Sequence, residues 1–295
     1  MRQIYPAAAD PREIGEPVQG PAGRADPDAI AGLYPYPAAG PGASRPWVRA
    51  NMVTSADGAA SLDGRSGGLS GSADRLVFSV LRSLADVILV GAGTARIEHY
   101  QAVRPDETWP ALRAGRPPTP PIAVLSSRMA GLEPDGPLLA TGPGQARTIV
   151  LTTEAAPAGL RSAAARNADV IVAGPDPVRP EAIIGALAER GYQRVLAEGG
   201  PRLLEQIVAA GLLDELCLTV SPVLAGGRAP RIVTVPPAGG TRADNSGLPG
   251  QPGATGLRLA HVLEDSGYLL CRYLRTGATN AGAIVPSRPA SESER

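Results

Sequence analysis

The chain has 295 residues, 43% of them hydrophobic, with 28 acidic and 28 basic residues in balance. That is enough apolar material for a sizeable core, while neutrality offers no global field to nucleic acid, and no apolar run approaches the roughly 20 residues of a membrane helix. All the basic residues are arginine, apart from His99 and His261, so a Walker A loop, Schiff-base chemistry and pyridoxal phosphate attachment are excluded for want of lysine.

Residues 1–45 are rich in Pro, Gly and Ala without apolar periodicity, and read as a disordered tail. Met1 to Pro6 hold no apolar signal core, which predicts a cytoplasmic protein. From there short β-rich runs alternate with helical patterns. Strands are expected at Trp47–Val53, Val87–Val90, Ile122–Leu125, Thr148–Leu151, Val170–Val172 and Arg194–Ala197. Helices are expected at Ala73–Ala85, Ala158–Asn167, Pro180–Arg190 and Pro201–Ala210. This alternation argues for an α/β fold with a mostly parallel central sheet covered on both faces. After Asp214 the pattern changes to Glu215–Val220, Leu257–Leu263 and Tyr268–Leu274, strands with no helix between them. The turn residues Glu264 to Gly267 join the last two into an antiparallel C-terminal hairpin, placed at the sheet edge. Arg104–Pro121 and Pro236–Gly256 read as surface loops, and Gly277–Arg295 as a second disordered tail, leaving one domain at 46–276.

In a parallel sheet all the carboxyl ends share one edge, where ligands of open α/β sheets bind. Four polar groups fall there. Asp57-Gly58 follows the first strand; Gly91-Ala92-Gly93-Thr94 follows the second, with Thr94 and Glu98 one helical turn apart. Ser126-Ser127-Arg128 closes the third, offering a guanidinium suited to a 2′-phosphate. Glu198-Gly199-Gly200-Pro201 carries the last strand into a helix. Its paired glycines let a ligand approach the backbone, and Pro201 begins a helix whose first amides and dipole favour an anion. The pattern G-x-G-x-x-G fails at Arg96, which excludes a standard Rossmann fingerprint. Cys217 and Cys271, in apolar strand-like runs, read as buried structural thiols, and neither they nor the histidines have metal-ligand spacing, so no metal is expected. The nucleophile elbow G-x-S-x-G is also missing.

Taken together, Ser55-Ala56-Asp57-Gly58, Gly91 to Glu98, Glu198 to Pro201, and Asp214 through Pro222 with Gly226-Gly227 resemble the pyrimidine reductase of riboflavin biosynthesis. That family forms the reductase half of bifunctional deaminase-reductases and has a dihydrofolate reductase-like three-layer fold; the match runs from about Val48 to Leu274. The resemblance implies a homodimer that uses NADPH to reduce the ribosyl group of 5-amino-6-(5-phosphoribosylamino)uracil. Carried over by position, Val53, Thr94, Glu98, Ser127, Arg128 and the turn Gly199, Gly200, Pro201, Arg202, Leu203 and Leu204 would contact NADPH. Ser66, Arg82, Arg104 and Glu198 would hold the substrate, with Asp57 or Glu198 as the catalytic proton-balancing group. Two departures stand out. His99-Tyr100 replaces the family's usual Asp-Pro, and the deaminase signature H-x-E with P-C-x-x-C is absent. A pterin such as dihydrofolate, another carbonyl substrate, or nucleotide binding without turnover are the alternatives.

Overall fold

The structure is a computed structural model that describes residues 1–6, 26–37, 45–234 and 254–277. Its strands are β1 (Arg2–Tyr5), β2 (Trp47–Ser55), β3 (Val87–Gly91), β4 (Ile122–Leu125), β5 (Ile149–Thr152), β6 (Asp169–Val172), β7 (Arg194–Ala197), β8 (Glu215–Ser221), β9 (Leu257–Asp265) and β10 (Tyr268–Arg275). The helices are α1 (Pro27–Leu33), α2 (Ser72–Leu84), α3 (Ala92–Ile97), α4 (Ala158–Ala165), α5 (Pro180–Ala188) and α6 (Pro201–Ala209). The strands form one sheet in the order β1-β9-β10-β8-β2-β7-β3-β4-β5-β6. From β8 to β6 every neighbouring pair is parallel, and β10, β9 and β1 extend the sheet antiparallel.

Alternation along the strands sends successive side chains to opposite faces, and each face has its own core. Val48, Ala50, Val195 and Ala197 pack with Ile183 and Leu187 of α5 and Leu203 and Ile207 of α6. Ile88, Val90 and Leu196 pack with Val77, Val80 and Leu81 of α2 and Ile30 of α1 on the other face. The result is the expected three-layer α/β arrangement with a mostly parallel sheet.

Two expectations about the periphery are corrected. The C-terminal hairpin forms but is not the edge, because β10 pairs with β8 and β9 is covered by β1. Residues 1–45, expected as a tail, contribute β1 and α1 to the same body. Helix α1 is only 7 residues long, too short to display a period, yet it buries Ile30 completely and is followed by the buried Tyr34. Its local signal was present: Asp26 caps the amide of Asp28 at 3.0 Å, and Pro27 takes the first turn. Most of the Pro236–Gly256 loop and nearly all of the Gly277–Arg295 tail lie outside the described residues.

Candidate active site

Strand β7 lies between β2 and β3, so its carboxyl end opens into the crevice between their ends. Glu198 follows it immediately. A cavity of about 590 Å³ occupies this crevice, walled by β2, by the loop Ala60–Ser70, by α2, by α3 with the residues after it, and by the start of α6.

Glu198 is nearly sealed, its side chain 1% exposed. Its Oε1 accepts from Arg82 Nε at 2.8 Å, and its Oε2 accepts from Arg82 Nη2 at 2.8 Å and from the Tyr100 hydroxyl at 2.7 Å. Such a bidentate, charge-assisted fork fixes both partners. The Arg82 guanidinium also lies 4.2 Å from the centre of the Phe78 ring and 5.4 Å from that of Tyr100. Burial alone would lower the pKa of Arg82, but Glu198 outweighs it and the guanidinium is held more firmly charged than usual. The Tyr100 phenol is pushed far above its ordinary range by burial first and Glu198 second, and so remains a neutral donor. The two bonds to Glu198 use Nε and Nη2 of Arg82, and Arg82 lines the cavity.

Immediately after Glu198, Gly91 N donates to Gly199 O at 2.8 Å, and Gly199 has a φ of +87°, which suits glycine. The turn presses against α3 so closely that a Cβ at Gly200 would meet Thr94 Oγ1 at 2.2 Å. Helix α6 then starts with Pro201 and no side-chain cap, leaving its first-turn amides directed at this corner. The loop Ala60–Ser70 is clipped to the end of α3: Ser66 N donates to Glu98 Oε1 at 2.7 Å, and Arg65 lies 2.8 Å from His99 Nε2.

Of the residues expected here, Val53, Ser66, Arg82, Thr94, Glu98, Arg104, Glu198, Gly200 and Pro201 line one cavity. Gly199 lies in the turn beside it. Leu203 and Leu204 are buried in the core, and the Leu204 amide donates to Gly200 O at 3.0 Å, which leaves the Leu203 amide to face a ligand; Arg202 is exposed. Three expected residues are engaged outside this lining. Asp57 accepts from Ser55 Oγ at 2.5 Å, Gly226 N at 2.7 Å and Ala225 N at 3.0 Å, tying the β2 turn to the loop after β8. Those bonds, Ser55 foremost, lower its pKa to about 2, so Asp57 holds no proton to donate near neutrality. Ser127 accepts through its carbonyl from the hydroxyls of Thr152 and Thr153, and Arg128 pairs with Asp176 at 3.0 Å. Arg104 is exposed and pairs with Asp106 and Glu107, although it stays on the cavity rim.

Sequence reasoning put His99-Tyr100 in the substrate wall, where both line the cavity, but missed Asn51, Asp74 and Phe78 as lining groups. A signal existed for two of them, since stepping back from Arg82 by four residues gives Phe78 and then Asp74 on one helical face.

The profile of the family described as RibD C-terminal domain matches residues 46–262. The chain belongs to this family. Among curated relatives it is 29% identical over 188 residues to the 2,5-diamino-6-ribosylamino-4(3H)-pyrimidinone 5′-phosphate reductase of Archaeoglobus fulgidus, covering 62% of this chain and 84% of the relative. The reductase of the same name from Methanothermobacter thermautotrophicus is 28% identical over 188 residues, covering 62% and 81%. Among solved structures, a pyrimidine reductase-like protein from Corynebacterium diphtheriae superposes with a TM-score of 0.66 at 25% identity, covering 78% of this chain and 92% of its own. The family reached from the four motifs is therefore the right one, and the chain is an oxidoreductase of the riboflavin-forming reductase group.

Proposed function

We propose that this chain is an NADPH-dependent reductase of a 5-amino-6-(5-phosphoribosylamino)pyrimidine, converting the ribosyl group to ribityl. The observation that carries this reading is a single cavity with an anion-favouring turn on one wall and a fixed, charged hydrogen-bonding cluster on the other. The residues fit the cofactor. The close approach of Gly200 to Thr94 leaves a bare backbone corner, and the uncapped start of α6 supplies donors for a pyrophosphate. Thr94 and the amides of Arg202 and Leu203 would hold it there, and NADPH, when bound, supplies the hydride for C1 of the opened, imine-like ribose. Glu98, which lines the cavity, also ties the Ala60–Ser70 loop to the cavity wall through Ser66 N.

Arg82, rather than Glu198, is the group offered to substrate. Glu198 has two bonds to Arg82, one to Tyr100 and almost no exposed surface, so it orients the guanidinium while Nη1 remains for a substrate oxygen. Arg75, whose side chain donates to Ser70 O at 3.2 Å, and Arg104 line the cavity as candidates for the 5′-phosphate. With Asp57 ionised and outside the cavity, the proton required on ring opening comes from water.

The relatives' names favour a 2-amino ring over the 2-oxo ring implied by the motifs. The reading also includes a cytoplasmic homodimer. Leu224, 79% exposed beside Val223 after β8, supports a surface covered by a second copy. None of the described helices is long and apolar enough to cross a membrane. The test follows NADPH absorbance with the 2-amino precursor, the 2-oxo precursor and dihydrofolate. Oxidation is expected with a pyrimidine precursor and not with dihydrofolate; NADPH binding without oxidation by either pyrimidine overturns the reading.

A further inference from the structure

We infer that Tyr100 is a positioning residue for substrate binding, acting through Glu198 to set the direction in which Arg82 faces the cavity. This rests on the proposed reductase function. Three observations point the same way. The Tyr100 hydroxyl donates to Glu198 Oε2 at 2.7 Å, the same oxygen that receives Arg82 Nη2 at 2.8 Å. Phe78 lies against the guanidinium with its centre 4.2 Å away, and the Tyr100 ring also approaches it, at 5.4 Å, so Tyr100 restrains the arginine both by contact and through the shared carboxylate. Arg82 spends Nε and Nη2 on that carboxylate, which leaves Nη1 as the part of the fork able to meet a ligand.

A carboxylate held by an arginine alone can pivot about the axis of the fork. A third donor from a different segment removes that freedom. Tyr100 comes from the residues following α3, whereas Arg82 comes from α2 and Glu198 from the end of β7. The phenol thus joins three elements at one oxygen pair. Tyr100 also stands in the His99-Tyr100 pair that replaces Asp-Pro, and proline has no side-chain donor.

An interaction that orients a binding group without following the reaction coordinate changes KM more than kcat. Tyr100→Phe keeps the ring and deletes the donor. With the pyrimidine precursor that the parent enzyme reduces, KM is expected to rise about tenfold, the scale of a lost hydrogen bond to a charged group. The kcat should stay within about twofold and the KM for NADPH should not change. In a Glu198→Gln background the same replacement should add nothing, since its route is already broken; a packing role would act additively in both backgrounds. If Tyr100→Phe does not fold, Tyr100→His supplies the comparison, because its ring N–H can still donate: a near-parental KM supports the inference and a tenfold rise overturns it. A KM within twofold of parental for a folded Tyr100→Phe, or an equal effect in the Glu198→Gln background, also overturns it. Failure of the parent enzyme to reduce either precursor would overturn the functional reading and this inference together, whereas parental turnover with an unmoved KM defeats this inference alone.

Discussion

The molecule contains two glutamates gripped by arginine among aromatic rings, and they differ in access to solvent. At the cavity, Glu198 holds Arg82 beside Phe78 and Tyr100, and the Arg82 side chain is 12% exposed. In the core, Glu215 at the start of β8 lies between Arg49 of β2 and Arg272 of β10, with Glu215 and Arg49 fully sealed. Arg49 Nη2 donates to Glu215 Oε2 at 3.0 Å and to the Tyr34 carbonyl at 2.9 Å, while Arg272 Nη1 donates to the Leu33 carbonyl at 3.0 Å. The sealed cluster ties the end of α1 to the sheet, and Arg49 Nη1 there is buried without a hydrogen-bond partner among the described residues. The cavity cluster instead sets its arginine in the wall of a pocket. The same side-chain chemistry is shut into the core at one place and faces a cavity at the other.

The largest expected effect tests that division directly. Burial alone would push the Glu215 carboxyl up, but Arg49 and then Arg272 more than offset it and hold it ionised. Glu215→Ala strands two buried cations, and should lower unfolding stability by about 3–5 kcal/mol in urea titrations. Glu198→Ala should cost less than about 2 kcal/mol, because Arg82 can turn to water, yet lower kcat/KM for the pyrimidine precursor about a hundredfold. Equal destabilisation by the two substitutions would erase the distinction.

A smaller effect concerns pH. His261 packs edge-on to Tyr34, with ring centres 4.7 Å apart, and its Nε2 has no hydrogen-bond partner. Burial, followed by the charge of Arg272, lowers its pKa to about 3. The unfolded chain then binds a proton that the folded chain refuses between about pH 6.5 and about pH 3, so stability present above the upper limit is lost as pH falls through this window. At pH 5 the loss from this group is about 2 kcal/mol. Comparing denaturant unfolding at pH 7 and pH 5 should show that His261→Phe removes this part of the acid slope, and an unchanged slope would exclude His261 as its source.

The sequence reveals these regions unequally, and the reason is physical. Local patterns located β2, β3, β4, β7 and the helices α2 and α6 within a residue or two, because burial on both faces of a parallel sheet leaves short apolar runs between helical periods. The motifs brought Thr94, Arg82 and Glu198 into one crevice, since strand ends in a parallel sheet must share an edge. Roles were less visible. Asp57, read as a proton-balancing group, is tied to Ala225 and Gly226, which lie far along the chain. Glu215 fell within a motif but its pairing with Arg49 and Arg272 gave no signal, because an isolated charge in a strand reads as solvent-facing until its partners on other strands are known.

The smallest effect concerns the opposite wall of the cavity, where tight packing and ligand binding can be separated. Gly200→Ala introduces a Cβ into Thr94 Oγ1 and should cost about 1 kcal/mol in thermal or denaturant unfolding, the scale of a local overpacking. Thr94→Ala removes that oxygen, and the next contact of the new Cβ is Thr94 Cβ at 3.5 Å, an ordinary distance. The double variant should therefore regain most of the lost stability. It should not regain NADPH affinity, because the threonine hydroxyl would itself be a cofactor ligand, and fluorescence titration reads that separately from unfolding. Additive stability losses would show that the turn is not pressed against Thr94. Recovery of both stability and affinity would remove Thr94 from the cofactor site, leaving the α6 amides as the donors on that wall.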